Sequence, residues 1–234
     1  MYRTLDSEKI VNTAETLCRR IDERFPSSGL RRVCAELLTI ARESRDRAEW
    51  IAKPQRALRL FIGITILLMV LGLVFFLAKL SLPSGGIDAV GLLQGLEAGI
   101  NILILVGAAI LFLVTVETRM KRARAISAIH ELRALAHVID MHQLTKDPDI
   151  ALAKGKQTRS SPKRDLNAFE LTRYLDYCSE MLSVTGKIAA LYVQKFNDPV
   201  VLNAAEDVET LTIGLSRKIW QKVMILNSAA KDAS

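Results

Sequence analysis

The sequence predicts an all-α protein: a two-helix transmembrane hairpin with a cytosolic helical bundle built from the N- and C-terminal helices. Two charge-free runs, residues 60–78 and 98–116, carry the membrane expectation. Each is 19 residues long, and a helix needs about 20 apolar residues to cross ~30 Å of hydrocarbon. The second observation is that apolar residues elsewhere recur at helical spacing, with no alternating strand pattern. The third is a charge asymmetry. Arg42, Arg45, Arg47, Lys53, Arg56 and Arg59 precede the first run, and Arg119, Lys121, Arg122, Arg124 and Arg133 follow the second. Between the runs stands Lys79, at the edge. Cations gather on the cytosolic side of spans, so both termini are expected in the cytosol.

The chain is 50% hydrophobic with a net charge of +7, a mixture that fits segregated apolar spans and polar helices. A signal peptide is not expected, because the first apolar run begins only at Leu60 and the N-terminus is amphipathic. The expected boundaries are 1–56 for an N-terminal helical hairpin, 57–80 for the first transmembrane helix and 81–90 for an outer loop. The second transmembrane helix then takes 91–116, its cytosolic extension 117–146, a basic linker 147–164 and a C-terminal helical hairpin 165–234.

The first helix is read over 7–25, with Ser7 as its cap and Ile10, Ala14, Leu17, Ile21 and Phe25 on its apolar face. Pro26 to Gly29 is a turn. A second helix over 30–53 aligns Leu30, Val33, Leu37, Ala41, Ala48 and Ile51, and Pro54 separates it from the first span. Trp50 fits either an interfacial position or ordinary packing. Nothing breaks the helix after the second span. Ala125, Ile129, Leu132, Ala136 and Ile139 line one face, so the helix should leave the membrane by about 28 residues, or ~42 Å. Asp147-Pro148 should end it. Asp165 should open a helix over 166–196, with Phe169, Leu175, Cys178, Leu182 and Ile188 apolar. Asp198-Pro199 should start the last helix, over 199–228, as cap and first residue. Its apolar face is Val201, Ala205, Val208, Leu211, Leu215, Ile219 and Met224. Cys18, Cys34 and Cys178 form no CxxC pair and are expected as free thiols in a reducing compartment.

Gly91, Gly95 and Gly99 form a ridge of small residues four apart, the spacing that lets membrane helices approach closely. Gln94, Glu97 and Asn101 form a polar stripe on another side of the same helix. Two arrangements fit these residues. Either the glycines pack subunit against subunit while the stripe faces a shared interior, or they pack the hairpin partner and Glu97 lies among headgroups. Lys154, Lys156, Arg159, Lys163 and Arg164 concentrate five cations in the linker with no acid among them. They suit either a solvated linker or an anionic partner, a charged ligand or a nucleic-acid-containing one. No aromatic residue interleaves them, so base stacking is not indicated. His130, His137 and Asp140 share a ridge opposite the apolar face, which favours solvent over a metal held between subunits.

Enzyme motifs are incomplete. Gly155-Lys156-Gln157-Thr158 resembles the end of a P-loop, but Ile150 stands where the first glycine belongs and Gln157 where Ser or Thr must follow the lysine. The chain is therefore read as non-enzymatic, without cofactor or metal.

The order of elements over residues 30–144 resembles the SLATT family, two-transmembrane effectors of bacterial nucleotide-signalling defence systems. The resemblance implies a membrane hairpin with flanking cytosolic helices that acts by compromising the membrane; the glycine ridge suggests a homo-oligomer, and the bacterial inner membrane is the expected location. The C-terminal hairpin from 165 onward has no counterpart in that layout. Two functional classes follow: an oligomeric, pore-forming or membrane-disrupting effector controlled by its bundle, and a membrane-anchored scaffold whose bundle docks a cytosolic protein.

The charge asymmetry generates a direct test. Reporter fusions at both termini should report cytosol, and a Ser84→Cys variant should be labelled from outside by an impermeant maleimide. A cytosolic signal from that loop would remove the hairpin topology.

Overall fold

A computed structural model describes residues 4–79, 89–148 and 166–232, together with Arg159. The described residues form helices and no strand. The helices are α1 (Ser7–Arg24), α2 (Gly29–Ala52), α3 (Arg56–Lys79), α4 (Ala89–Leu144), α5 (Ala168–Lys195) and α6 (Pro199–Asp232). The chain divides into two compact units, one of residues Met1–Ala52 with Arg122–Ser234 and one of Lys53–Lys121. The expected outer loop falls mostly outside the described residues, and its last two positions already belong to α4.

The larger unit packs α1, α2, α5, α6 and the 122–144 portion of α4 around one apolar core. The predicted faces are those that are buried. Ile10, Ala14, Leu17 and Ile21 of α1, the six predicted residues of α2, and Ala125, Ile129, Leu132, Ala136 and Ile139 of α4 are all in the core. Each fully buried Leu or Ile contributes about 1.5–3 kcal/mol over an exposed one. Phe169 and Met224 depart from the prediction: they are 63% and 52% exposed. On α6 the face continues from Ile219 through Val223 and Leu226, steps of four and three, whereas Met224 is five residues on and rotates outward. On α5, Tyr174, Tyr177, Met181 and Val184 are buried as well. This helix touches α1, α2 and α6, so a single apolar stripe underestimates its core. Phe169, in its first turn, lies instead under the Arg24 guanidinium, 5.5 Å from the ring centre.

Caps explain the helix starts, and two expected caps are corrected. Asp6, not Ser7, caps α1, its carboxylate accepting from the Glu8 and Lys9 amides at 3.0 and 3.3 Å. Asn167, not Asp165, caps α5 through a reciprocal capping box with Glu170. Ser28 Oγ accepts from the Arg31 amide at 3.2 Å and so serves the start of α2. Gly29, the first residue of α2, lies against the His142 ring, which a Cβ would run into. Trp50 is packed, with Arg124 stacked 3.8 Å from its ring centre. α4 ends at Leu144, where the expected extension of about 28 residues runs out just before Asp147-Pro148. Lys222 of α6 donates to the carbonyls of Gln143 and Lys146 there, at 2.8 and 3.2 Å.

The expectation of three free thiols is overturned for two of them. Cys18 and Cys34 form a disulfide between α1 and α2, with Cα atoms 5.5 Å apart. The antiparallel α1–α2 hairpin brings these positions opposite each other, and spacing along the chain did not determine that register. Cys178 is a free, buried thiol whose burial pushes its pKa up to about 12.

The smaller unit contains α3 and the 89–121 portion of α4. Leu60, Phe61, Leu68 and Phe75 of α3, and Leu93, Leu103, Leu105 and Leu111 of α4, are each more than half exposed. Both helices are long and apolar enough to cross a membrane.

Asp198 ties two elements of the larger unit together. Its Oδ1 accepts from the Val200 and Val201 amides at the start of α6, at 3.0 and 3.3 Å. The Arg122 guanidinium donates to both carboxylate oxygens, at 2.7 to 3.1 Å. Chiefly through Arg122, the Asp198 carboxyl is held below the usual carboxylate range. A carboxyl with a depressed native pKa stabilises the fold above its unfolded value, about 3.9, and loses that contribution as pH falls through the native value. Asp198→Ala should destabilise by about 2 kcal/mol, roughly half from the cap and half from the ion pair, discounted because Arg122 is partly exposed. Thermal unfolding in detergent at pH 7 and at pH 3 checks both. The wild-type advantage over the variant should shrink at pH 3.

Candidate functional site

The apolar pair α3 and α4 carries one buried charged cluster, built around Glu117. Its Oε2 accepts from Arg59 Nε at 2.6 Å, and its Oε1 accepts from Arg59 Nη2 at 3.3 Å. Lys121, one turn further along α4, lies 2.8 Å from Oε1 and also donates to the Lys53 carbonyl at 2.9 Å. The Gln55 amide donates to Oε1 at 3.3 Å. Gln55 immediately precedes α3, so this carboxylate from another helix occupies the place of an N-cap, where the helix dipole favours an anion. Glu117 and Lys121 are both buried, at 8% and 7% exposure. Sequence reasoning passed over Glu117 because topology is judged from cations. The available signal was an acid four residues before Lys121 on a helix.

The glycine ridge is placed on α4, and its surroundings within the chain are open. A Cβ added at Gly95 or Gly99 would meet nothing within 4 Å, and the same holds for Gly63 and Gly72 of α3 and Gly107 of α4. Among the described residues, neither Gly95 nor Gly99 therefore packs on α3. Gly91 belongs to α4, but its surroundings lie outside the described residues. Gln94, Glu97 and Asn101 are exposed on the same helix, among exposed Leu93, Ile100 and Leu103. The ridge and the stripe thus lie on different sides of α4, both exposed, and among the described residues nothing neighbours Gly95 or Gly99.

Of the basic linker, Arg159 is described and exposed. Lys154, Lys156, Lys163 and Arg164 lie outside the described residues. His130 and His137 are exposed, and among the described residues no group of three or more His, Cys, Asp or Glu side chains could hold a metal. His142 is the half-buried histidine. Burial, then Arg32 and Lys146 nearby, lower its pKa, and its Nδ1 lies 3.4 Å from the Tyr174 hydroxyl.

A groove of about 910 Å³ lies between α1 and α5. Leu5, Ile10, Leu17 and Val184 supply apolar walls, and Thr13, Ser183 and Lys187 supply polar groups. Its acids are already engaged: Asp6 caps α1, and Glu180 takes the Arg20 guanidinium at 2.7 Å. At one end the Leu5 backbone and the Gln194 amide exchange two hydrogen bonds, at 2.6 and 3.0 Å. Its size suits a small organic ligand.

Compared with protein-family models, curated proteins and solved structures, the chain matches none of them.

The Glu117 cluster separates two outcomes. Glu117→Ala strands a buried Lys121 and should destabilise the detergent-solubilised protein by about 3 kcal/mol, the scale for removing one partner of a buried pair. Arg59→Ala should cost about 1 kcal/mol or less, because the Arg59 side chain is 62% exposed. Equal losses in thermal unfolding would show that the carboxylate does not organise the cluster.

Proposed function

We propose that this chain is a non-enzymatic, oligomeric membrane effector. Its α3–α4 hairpin spans a bacterial inner membrane with both termini cytosolic, and its helical bundle controls whether the assembled hairpins permeabilise the bilayer. The observation that carries this reading is the unoccupied ridge at Gly95 and Gly99 beside exposed Gln94, Glu97 and Asn101. A close-packing face and a polar face on one membrane helix are what a subunit lining a shared interior requires. The buried Glu117 cluster supports the hairpin, because it ties the start of α3 to α4 with charge-assisted bonds. The α1–α5 groove is a place where the bundle would read a small ligand, and the basic linker remains a candidate contact for an anionic one. The likeness to SLATT effectors adds the antiviral setting.

One observation favours the second reading, a membrane-anchored scaffold. Ile213, Trp220 and Met224 are each at least half exposed along one side of α6. An exposed tryptophan flanked by aliphatic residues is the kind of anchor that protein partners use.

Two substitutions on α4 distinguish the readings. Gly95→Leu should abolish the oligomer, read by mass photometry or native gels, because bulk at the ridge separates neighbouring helices. Glu97→Leu should leave the oligomer intact and abolish permeabilisation of dye-loaded vesicles. A scaffold predicts neither loss. If Gly95→Leu leaves assembly and activity untouched, the effector reading gives way to the anchor.

A further inference from the structure

The Cys18–Cys34 pair conflicts with the compartment that the charge asymmetry assigns. Disulfides in the cytosol are rare, and those that form are usually transient or regulatory. We propose that Cys18 and Cys34 are a reversible thiol–disulfide site, oxidised by low-molecular-weight disulfides of the glutathione type, whose state sets how firmly α1 is held and hence how open the α1–α5 groove is. The proposal rests on the cytosolic placement of the bundle.

Four observations support it. The Cα atoms are 5.5 Å apart, within the range a disulfide spans without backbone movement. Cys34 is fully buried, whereas Cys18 is part-exposed at the edge of the core, so an external thiol reaches the sulfur of Cys18 first. Cys18 Sγ lies 2.8 Å from the Cys34 carbonyl oxygen, an acceptor ready for the S–H that Cys18 carries when reduced. Finally, α1 is a lateral helix. Besides its buried apolar face it is held by the Leu5–Gln194 hydrogen bonds at its start and by the pairs Arg20–Glu180, Arg45–Glu8, Arg31–Asp22 and Arg42–Glu15, in each of which the acid is more than a third exposed. Exposed pairs of this kind hold weakly, so the covalent link is the main restraint on α1 beyond its buried apolar face.

The exchange balances with a disulfide RSSR as oxidant. The Cys18 thiolate attacks one sulfur of RSSR, the S–S bond breaks and RS⁻ leaves. The Cys34 thiolate then attacks Cys18 Sγ in the mixed disulfide and expels a second RS⁻. The two protein protons end on the two departing thiols, the cysteine pair is oxidised by two electrons, and RSSR is reduced to 2 RSH. Reduction reverses each step, beginning with attack at the accessible Cys18 sulfur. Cys178, a free thiol on α5, is not a member of the pair.

Closing a loop of 16 residues should slow the opening equilibrium of α1 about a hundredfold in the chain-entropy description. Thr13 and Leu17 of α1 line the groove, so opening of α1 opens the groove.

The test uses the full chain. In cells, thiols are trapped with a maleimide-polyethylene glycol before treatment, after diamide, and after diamide is washed out. The expected result is a reduced pair at rest, oxidation within minutes and return after washing. A pair that stays oxidised throughout, or never oxidises, overturns the proposal. In the first case, N-terminal reporter fusions show whether the cytosolic placement has failed with it. In detergent, hydrogen exchange compares protein oxidised with glutathione disulfide, protein reduced with dithiothreitol, and Cys18→Ser. The α1 amides should exchange about a hundredfold faster in the reduced protein and in the variant, with α6 amides unchanged. Equal α1 rates in the oxidised and reduced wild-type protein overturn the proposal even if the variant fails to fold.

Discussion

Glu117 brings a single buried carboxylate to the place where α3 begins beside α4, and the geometry of the apolar pair depends on it. Two apolar helices have no hydrophobic reason to associate in lipid, where the surrounding chains are as apolar as they are. A carboxylate that satisfies a guanidinium, an ammonium and a free helix-start amide supplies a directional tie. It also lets a buried Lys121 exist at all, since an unpaired ammonium in that position would carry a large desolvation penalty.

Asp198 plays the corresponding part in the larger unit, where one carboxylate serves both as the cap of α6 and as the acceptor for Arg122. In both places one buried acid takes a guanidinium from another part of the chain, Arg59 at Glu117 and Arg122 at Asp198, in a chain of net charge +7. The cations are numerous and mostly at the surface, so no one of them determines much. A scarce buried acid fixes which cations meet, and therefore which helices do.

The parts of this fold legible in the sequence are those governed by local periodicity. Charge-free runs mark α3 and α4, a 3.6-residue period marks the faces of α1 and α2, and Asp198-Pro199 marks the start of α6. The parts that were not legible depend on which residues meet across the chain. Ser7 and Asp165 are as good caps by type as Asp6 and Asn167, and only the backbone path decides which side chain turns back onto the helix. The register of α1 against α2 decides whether Cys18 and Cys34 meet. Glu117 meets Arg59 across 58 positions, which no local pattern encodes. The candidate site is divided in the same way. The spacing of Gly91, Gly95 and Gly99 is local and visible, whereas the open space beside Gly95 and Gly99 depends on where α3 goes.

The bond between Leu5 and Gln194 joins residues 189 positions apart, and this has a consequence for biosynthesis. α1 and α2 leave the ribosome long before α5, the helix on which both pack. At 5–20 residues per second, roughly ten seconds separate the end of α2 from the appearance of α5. During that interval the apolar faces of α1 and α2 have only each other and, once it is made, the 122–144 portion of α4 to cover them, while both charge-free helices are being made. The core cannot close until α5 and α6 have been made. A chain truncated before Asn167 would therefore keep those faces bare and become a substrate for quality control, however well its apolar helices had been placed.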